Sequence, residues 1–111
     1  MEKLINYAHI IKNILTDYIA TMQSDLDEEV YLVEDAKQMN YLIYHNAWRQ
    51  SSRSYGCILH VRIKNGKVYI EYDGTDEGFG DVFVEAGIPK KDIVLAFHAP
   101  QIRSLTEYAL A

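Results

Sequence analysis

The sequence predicts an α+β fold: an N-terminal helix packed on a four-stranded antiparallel sheet (a meander), then a short second helix and an ordered C-terminal tail. Apolar residues at helical spacing over residues 3–22 predict the first helix. Asn65-Gly66 between two alternating runs predicts a hairpin, because a type I′ turn needs positive φ at both central positions. Short connections favour antiparallel neighbours. With 111 residues, the whole chain, 1–111, fits a single domain.

The first predicted helix carries a wide apolar stripe. The width has two interpretations: the helix is deeply embedded in its own sheet, or part of the stripe meets another subunit, which makes a homo-oligomer an expectation. The polar residues Gln23-Ser24-Asp25 are predicted to end the helix. The stripe recurs at spacings of four and three and is widened on both sides: Leu4, Ala8, Ile11, Leu15, Tyr18 and Met22, with Ile5, Tyr7, Ile14 and Ile19.

Four strands are predicted after the helix. Residues 29–34 and 40–48 are short runs rich in aromatic and β-branched residues, as strands are. Residues 49–54 are predicted to be a loop. Residues 55–64 and 67–73 then form the two arms of the Asn65-Gly66 hairpin.

The two-residue turn fixes the register of this hairpin and therefore its faces, because successive side chains of a strand alternate. The register runs outward from Lys64 facing Lys67 and puts His60 opposite Glu71. The predicted core face consists of Leu59, Val61, Ile63, Val68, Ile70 and Tyr72. The predicted polar face consists of His60, Arg62, Glu71 and Asp73, with Ile58 and Tyr69.

The remaining third of the chain is predicted to close the fold. Residues 73–80 form a polar loop, and residues 81–86 form a short helix that ends at Gly87. Residues 93–97 are predicted to be extended and buried, with a helical turn as the alternative. The tail is expected to be ordered, with Leu105 and Tyr108 packed inward.

The polar face of the hairpin is the candidate functional face. A carboxylate at Glu71 or Asp73 could orient the imidazole of His60 for proton transfer or metal binding, beside the charge of Arg62. The alternative is a structural cross-strand charge pair. No nucleophile or second ligand is visible beside His60, and neither the four histidines nor the single cysteine shows metal-ligand spacing. We therefore predict no catalytic residue, no metal and no cofactor; an enzyme is the third hypothesis and rests only on His60, Glu71 and Asp73.

Charge is distributed unevenly along the chain. The net charge is −5, yet residues 36–70 contain no Asp or Glu. An acidic chain is a poor autonomous DNA binder, because phosphate neutralisation dominates that affinity. The basic middle is either a solvated surface or a local patch that meets an anion or an acidic partner. Its candidate contacts are Arg49, Arg53, Lys64 and Lys67.

The compartment also follows from composition. A single cysteine, Cys57, excludes an intrachain disulfide and fits a reducing environment. No signal peptide or membrane-spanning run is apparent, since the apolar stretches are far shorter than the roughly 20 residues that a span needs. We predict a cytoplasmic protein that does not contact a membrane.

Residues 55–70, YGCILHVRIKNGKVYI, resemble the XisI family, the fdxN element excision controlling factors. The likeness includes Trp48, continues through Asp73-Gly74-Thr75 and residues 87–98, and extends to Ala109-Leu110-Ala111. The resemblance implies an accessory protein that controls site-specific excision, a rearrangement of cyanobacterial DNA. It also implies a separate recombinase and a nuclease-like partner, XisH. The alternative is a direct nucleic-acid-binding module that uses the basic 49–67 segment.

Overall fold

The computed structural model describes residues 2–22 and 28–111. Its elements confirm the α+β class. In chain order they are α1 (Glu2–Met22), β1 (Glu28–Asp35), β2 (Asn40–Arg49), β3 (Ser52–Lys64), β4 (Lys67–Asp73), α2 (Phe79–Glu85), a 3-10 turn (Lys90–Asp92), β5 (Ile93–Leu95) and α3 (Pro100–Arg103).

The sheet has five strands in the order β1-β2-β3-β4-β5, where we predicted four. The first four are antiparallel neighbours, as expected of a meander. β5 comes from the run that was predicted to be extended and buried, and it pairs with β4 in the parallel direction. Parallel neighbours need a crossover connection, and α2 with the 3-10 turn supplies it.

α1 lies on one face of the sheet and forms the core with it. Tyr7, Ile11 and Leu15 are buried there, and Tyr18 meets the ring of Phe79 edge to face at 5.1 Å between centroids. Most of the other stripe residues are partly buried against the same core, so most of the stripe packs on the chain's own sheet. Ile5 stays 54% exposed. No described helix is long and apolar enough to cross a membrane. The predicted helix end at residues 23–25 lies outside the described residues.

Two β-bulges shift the register of the central strands. In β3, Ile58 is an extra residue between the pairs Ile43–Leu59 and Tyr44–Cys57. In β4, an extra residue follows Ile70. The predicted hairpin register is correct for the four pairs nearest the turn and is wrong beyond them.

The second bulge explains why the predicted core face is correct up to Ile70 and wrong at Tyr72. Five of its six residues are buried, but Tyr72 is 50% exposed. Because Glu71 is the extra residue, Tyr72 pairs with His60 and points away from the core.

The predicted loop at residues 49–54 is a continuation of both strands. Arg49 pairs with Ser52, and a two-residue turn at Gln50-Ser51 joins β2 to β3. Gln50 takes a left-handed φ of 57°. Tight hairpin turns need such an angle and usually place Gly, Asn or Asp there, so the sequence carries no strong turn signal at this point.

α2 runs over Phe79–Glu85 instead of the predicted 81–86, and Gly87 closes it as predicted. The amide of Gly87 donates to Val84 O over 3.0 Å, and the amide of Ile88 donates to Phe83 O over 3.0 Å. This pair of hydrogen bonds is a Schellman motif, which needs a residue in the left-handed conformation just after the helix. Gly87 provides it with φ 111°.

The C-terminal tail runs along the outer edge of β5. The amide of Ala109 donates to Ile93 O over 2.8 Å, and Ala109 forms a parallel bridge with Val94. Tyr108 packs against the core, as expected. Leu105 is 83% exposed, so the prediction that it packs inward is wrong.

Candidate functional site

The bulge in β4 separates the residues that were predicted to form one polar face. His60 lies opposite Tyr72, not opposite Glu71. Its nearest polar partner is Asn40 on β2, with 2.9 Å between Nε2 and Oδ1. Burial lowers the pKa of His60; the charge of Glu71 opposes this effect and the charge of Arg62 adds to it. A neutral imidazole bonded to an amide is suited to holding two strands together.

Asp73 belongs to the other side of the sheet, because it pairs with the core residue Leu59. Its carboxylate accepts hydrogen bonds from the amide and hydroxyl of Thr75, at 2.9 and 2.6 Å, and from the amide of Phe79, at 2.9 Å. Asp73 therefore fixes the conformation of the loop between β4 and α2. It is not a neighbour of His60 on a common face.

Arg62 lies on the second face of the sheet, the one opposite α1, and it pairs with Tyr69 and Asn40. Its Nε atom is buried and has no hydrogen-bond partner among the described residues. A guanidinium presents five donors in a planar fork that matches carboxylates. Arg62 thus has one buried donor that no described residue satisfies.

The basic residues predicted to contact an anion or partner fall into two groups at opposite ends of β3. Lys64 lies 4.7 Å from the ring of Tyr69, and Lys67 donates to Ala111 O over 2.6 Å. Arg49 and Arg53 lie at the other hairpin. At 3.3 Å per residue, Arg53 and Lys64 are about 36 Å apart along the strand. The 49–67 segment is therefore not one continuous basic surface.

An aromatic patch covers the second face near the β2–β3 turn; we define it as Tyr31, Tyr44, Trp48, Arg53 and Tyr55. The three tyrosines form a row, with ring centroids 6.3 and 5.9 Å apart. Arg53 donates to Asn46 Oδ1 over 2.8 Å and lies 4.6 Å from the ring of Tyr55 and 5.7 Å from that of Trp48. Residues 48–55 are all exposed, so nothing in the described chain covers this end of the patch.

The patch was not predicted from the sequence, because residues 49–54, which include Arg53, were predicted to be a loop. The available signal was the alternation of small and large residues over Ser52, Arg53, Ser54 and Tyr55, which is typical of a strand.

A buried polar contact far from the patch was also missed. The hydroxyl of Tyr7 donates to Asp92 Oδ2 over 2.5 Å, and Lys3 Nζ lies 3.2 Å from the same oxygen. Burial opposes ionisation of Asp92, but the bonds from Tyr7 and Lys3 outweigh it and lower its pKa. Burial, then the bond to Asp92, raises the pKa of Tyr7 to about 12. Asp92 is thus held in its ionised form and Tyr7 in its protonated form. Their hydrogen bond connects α1 to the 3-10 turn before β5.

A surface pocket of about 160 Å³ lies beside α2 and is lined in part by Gly80, Asp81, Leu95, Phe97 and Tyr108. It is smaller than the 300–1,000 Å³ that is typical of small-molecule sites. Across residues 2–22 and 28–111, no group of three or more His, Cys, Asp or Glu could hold a metal ion.

Comparisons with known proteins agree on one family. The family model described as XisI protein matches residues 1–110. A XisI-like protein from Anabaena variabilis is 35% identical, with a TM-score of 0.91; the match covers 97% of this chain and 99% of that one. The fdxN element excision controlling factor XisI from Anabaena variabilis is 38% identical, with a TM-score of 0.85, covering 98% and 99%. No curated protein matches the chain.

Proposed function

Because this chain belongs to the XisI family, we propose that it is an accessory protein that controls excision of a DNA element by binding another protein. One relative, identical at 38% of positions over nearly the whole length, is an fdxN element excision controlling factor. Similarity of this extent supports a related role here. Because it would control a DNA element through that partner, the protein would work in the cytoplasm of a cyanobacterial cell.

The aromatic patch is the observation that carries the protein-binding part of the proposal. Trp48 is 50% exposed and Tyr55 is 57% exposed, with Arg53 between them. Trp, Tyr and Arg are the residues that most often dominate the binding energy of protein interfaces. Two half-exposed aromatic side chains on one face leave apolar surface in contact with water. A partner that covers them would remove apolar surface from water.

The proposed partner is a nuclease-like protein of the XisH type, and the proposed accessory protein is a homo-oligomer. Family membership supports the partner, and the exposed part of the α1 stripe, where Ile5 stays 54% exposed, supports the oligomer. In this arrangement the partner supplies the DNA chemistry, and the present chain controls when or where that chemistry occurs.

Co-expression with the XisH-type protein tests the proposal. We expect the two proteins to co-purify and Trp48→Ala to weaken the complex by about 30-fold, as for an interface residue worth about 2 kcal/mol. Leu105→Ala is the matched control, because Leu105 is also exposed but lies outside the patch. Failure of the wild-type proteins to associate, or equal loss in both variants, would contradict the proposal.

Direct nucleic-acid binding through residues 49–67 has weaker support. Its basic residues are split between the ends of β3, and Arg53 already lies against two of the rings that could stack on bases. DNA binding that falls steeply with salt would favour this alternative, and absence of binding at low salt would exclude it.

A further inference from the structure

One stretch of strand edge has no neighbour among the described residues. β3 pairs with β4 only from Leu59 onward. Residues 52–57, which we call the open edge, have β2 on one side and no described strand on the other. The backbone donors and acceptors along the open edge are therefore available for pairing.

The geometry of the β2–β3 turn decides which residues of the open edge direct their backbone amide and carbonyl groups outward. In a two-residue hairpin the residues that flank the turn, here Arg49 and Ser52, form a hydrogen-bonded pair. Bonded and non-bonded pairs alternate along antiparallel strands. Arg53, Tyr55 and Cys57 therefore direct their amide and carbonyl groups outward.

The other edges of the sheet are protected against pairing. β5 is three residues long, and Ala109 bridges to its outer side. β1 would place like charges near one another if it paired with a copy of itself. Its acidic residues are four of eight: Glu28, Glu29, Glu34 and Asp35.

The open edge is covered by no described segment, and its one charged residue, Arg53, already donates to Asn46. The open edge reads Ser-Arg-Ser-Tyr-Gly-Cys, with no acidic residue and no proline. Sheets in natural proteins blunt their edges with charge, proline or a covering segment, since an unprotected edge is a template for another strand. An edge that no described segment covers, beside two protected edges, indicates that this strand is paired in the functional form of the protein.

We propose that the open edge pairs antiparallel with the open edge of a second copy of this chain, about a two-fold axis at Tyr55. Such an axis stands perpendicular to the sheet, so each residue pairs with one on the same face. Centring on Tyr55 sets Tyr55 opposite its copy and Arg53 opposite Cys57 of the second copy. All three outward residues then form hydrogen-bonded pairs, and two five-stranded sheets join into one of ten strands.

Charge and side-chain packing fit this arrangement. The two Arg53 residues are four positions apart across the axis, about 13 Å, which exceeds the Debye length of about 8–10 Å. The row Tyr31–Tyr44–Tyr55 ends at the open edge and would continue through the axis into the row of the second copy. Pairing by the edge leaves the second face free. The inference therefore rests on the homo-oligomer of the proposed function but not on its nuclease-like partner.

Sedimentation equilibrium on the purified chain alone tests the inference. The wild-type protein should have twice the mass of one chain. Tyr55→Glu and Tyr55→Lys should each be monomers, because like charges then face each other on the axis. An equimolar mixture of the two variants should restore the dimer, since Glu then faces Lys. Leu105→Glu is the control and should remain a dimer.

Covalent capture gives an independent measure of the register. Tyr55→Cys in a Cys57→Ser background should form a disulfide-linked dimer under mild oxidation, because opposed residues of a bonded pair lie about 5.5 Å apart between Cα atoms. A monomeric wild-type chain overturns the inference, as does a mixture that fails to reassociate or a Leu105→Glu control that dissociates. If the monomer nevertheless binds the XisH-type protein, the proposed partner stands while this interface falls.

Discussion

Replacing Tyr7 with Phe removes one hydroxyl group from the contact that ties α1 to the 3-10 turn before β5. That hydroxyl donates to Asp92 over 2.5 Å. Tyr7 is 5% exposed and Asp92 is 8% exposed, so water has little access to replace the lost donor. A hydrogen bond to a charged group contributes about 1.5–3 kcal/mol. We therefore expect Tyr7→Phe to lower the free energy of unfolding by about 2 kcal/mol.

Tyr108→Phe is the matched control for this prediction. The hydroxyl of Tyr108 also donates to a carboxylate, that of Asp81, but Asp81 is exposed and stays hydrated when the donor is removed. We expect a loss of about 1 kcal/mol or less. Urea unfolding followed by Trp48 fluorescence measures both variants, with the slope against urea as a check that both unfold in the same way. Equal losses in the two variants would refute the reasoning that burial sets the strength of the Tyr7 contact.

Leu15→Ala removes a fully buried side chain and should cost about 2–5 kcal/mol by urea unfolding; a loss below that range would show that the core relaxes around the cavity. Gly87→Ala forces alanine to φ 111° and should cost about 1–3 kcal/mol by urea unfolding, whereas Gly56→Ala, which meets open space, should cost less. Burial, with the neighbouring carboxylates, raises the pKa of Tyr7 and of Tyr108 to about 12 from 10.0. The pKa values of both tyrosines are higher in the folded than in the unfolded protein. The free energy that their protonated hydroxyls contribute to folding is therefore complete below pH 10 and is lost as pH rises toward 12. When the free energy of unfolding is measured over this pH range, Tyr7→Phe should lose less than the wild type, and an equal loss would contradict the assignment.

The local features of this fold could be predicted from single residues with special backbone angles. Asn65-Gly66 located the β3–β4 turn and the four pairs next to it, and Gly87 located the end of α2. Both are positions where the backbone needs a positive φ, which few residues adopt at low cost. The spacing of apolar residues likewise located α1. Each of these predictions depends on interactions within a few residues.

The prediction of the candidate site was wrong because a bulge changes how β3 and β4 pair. Nothing at Glu71 distinguishes a bulged residue from a paired one, because alternation continues on either side of it. One extra residue moves every later side chain to the opposite face, and this put Tyr72 and Asp73 on the wrong sides. The turn at Gln50-Ser51 was missed because neither residue is typical of a hairpin turn. The Tyr7–Asp92 contact joins residues 85 positions apart, and no sequence periodicity links them.

The strand order has a consequence for how the chain folds. Each of the first three strand pairings joins consecutive segments, so the β1–β4 meander can form by closing short loops one after another. The addition of β5 is different, because it brings Asp92 to Tyr7 across most of the chain. We expect the meander to form early and the docking of β5 on β4 to complete the native state. In native-state hydrogen exchange, the amides of β5 and of Ala109 should then open together and at lower free energy than those of β3.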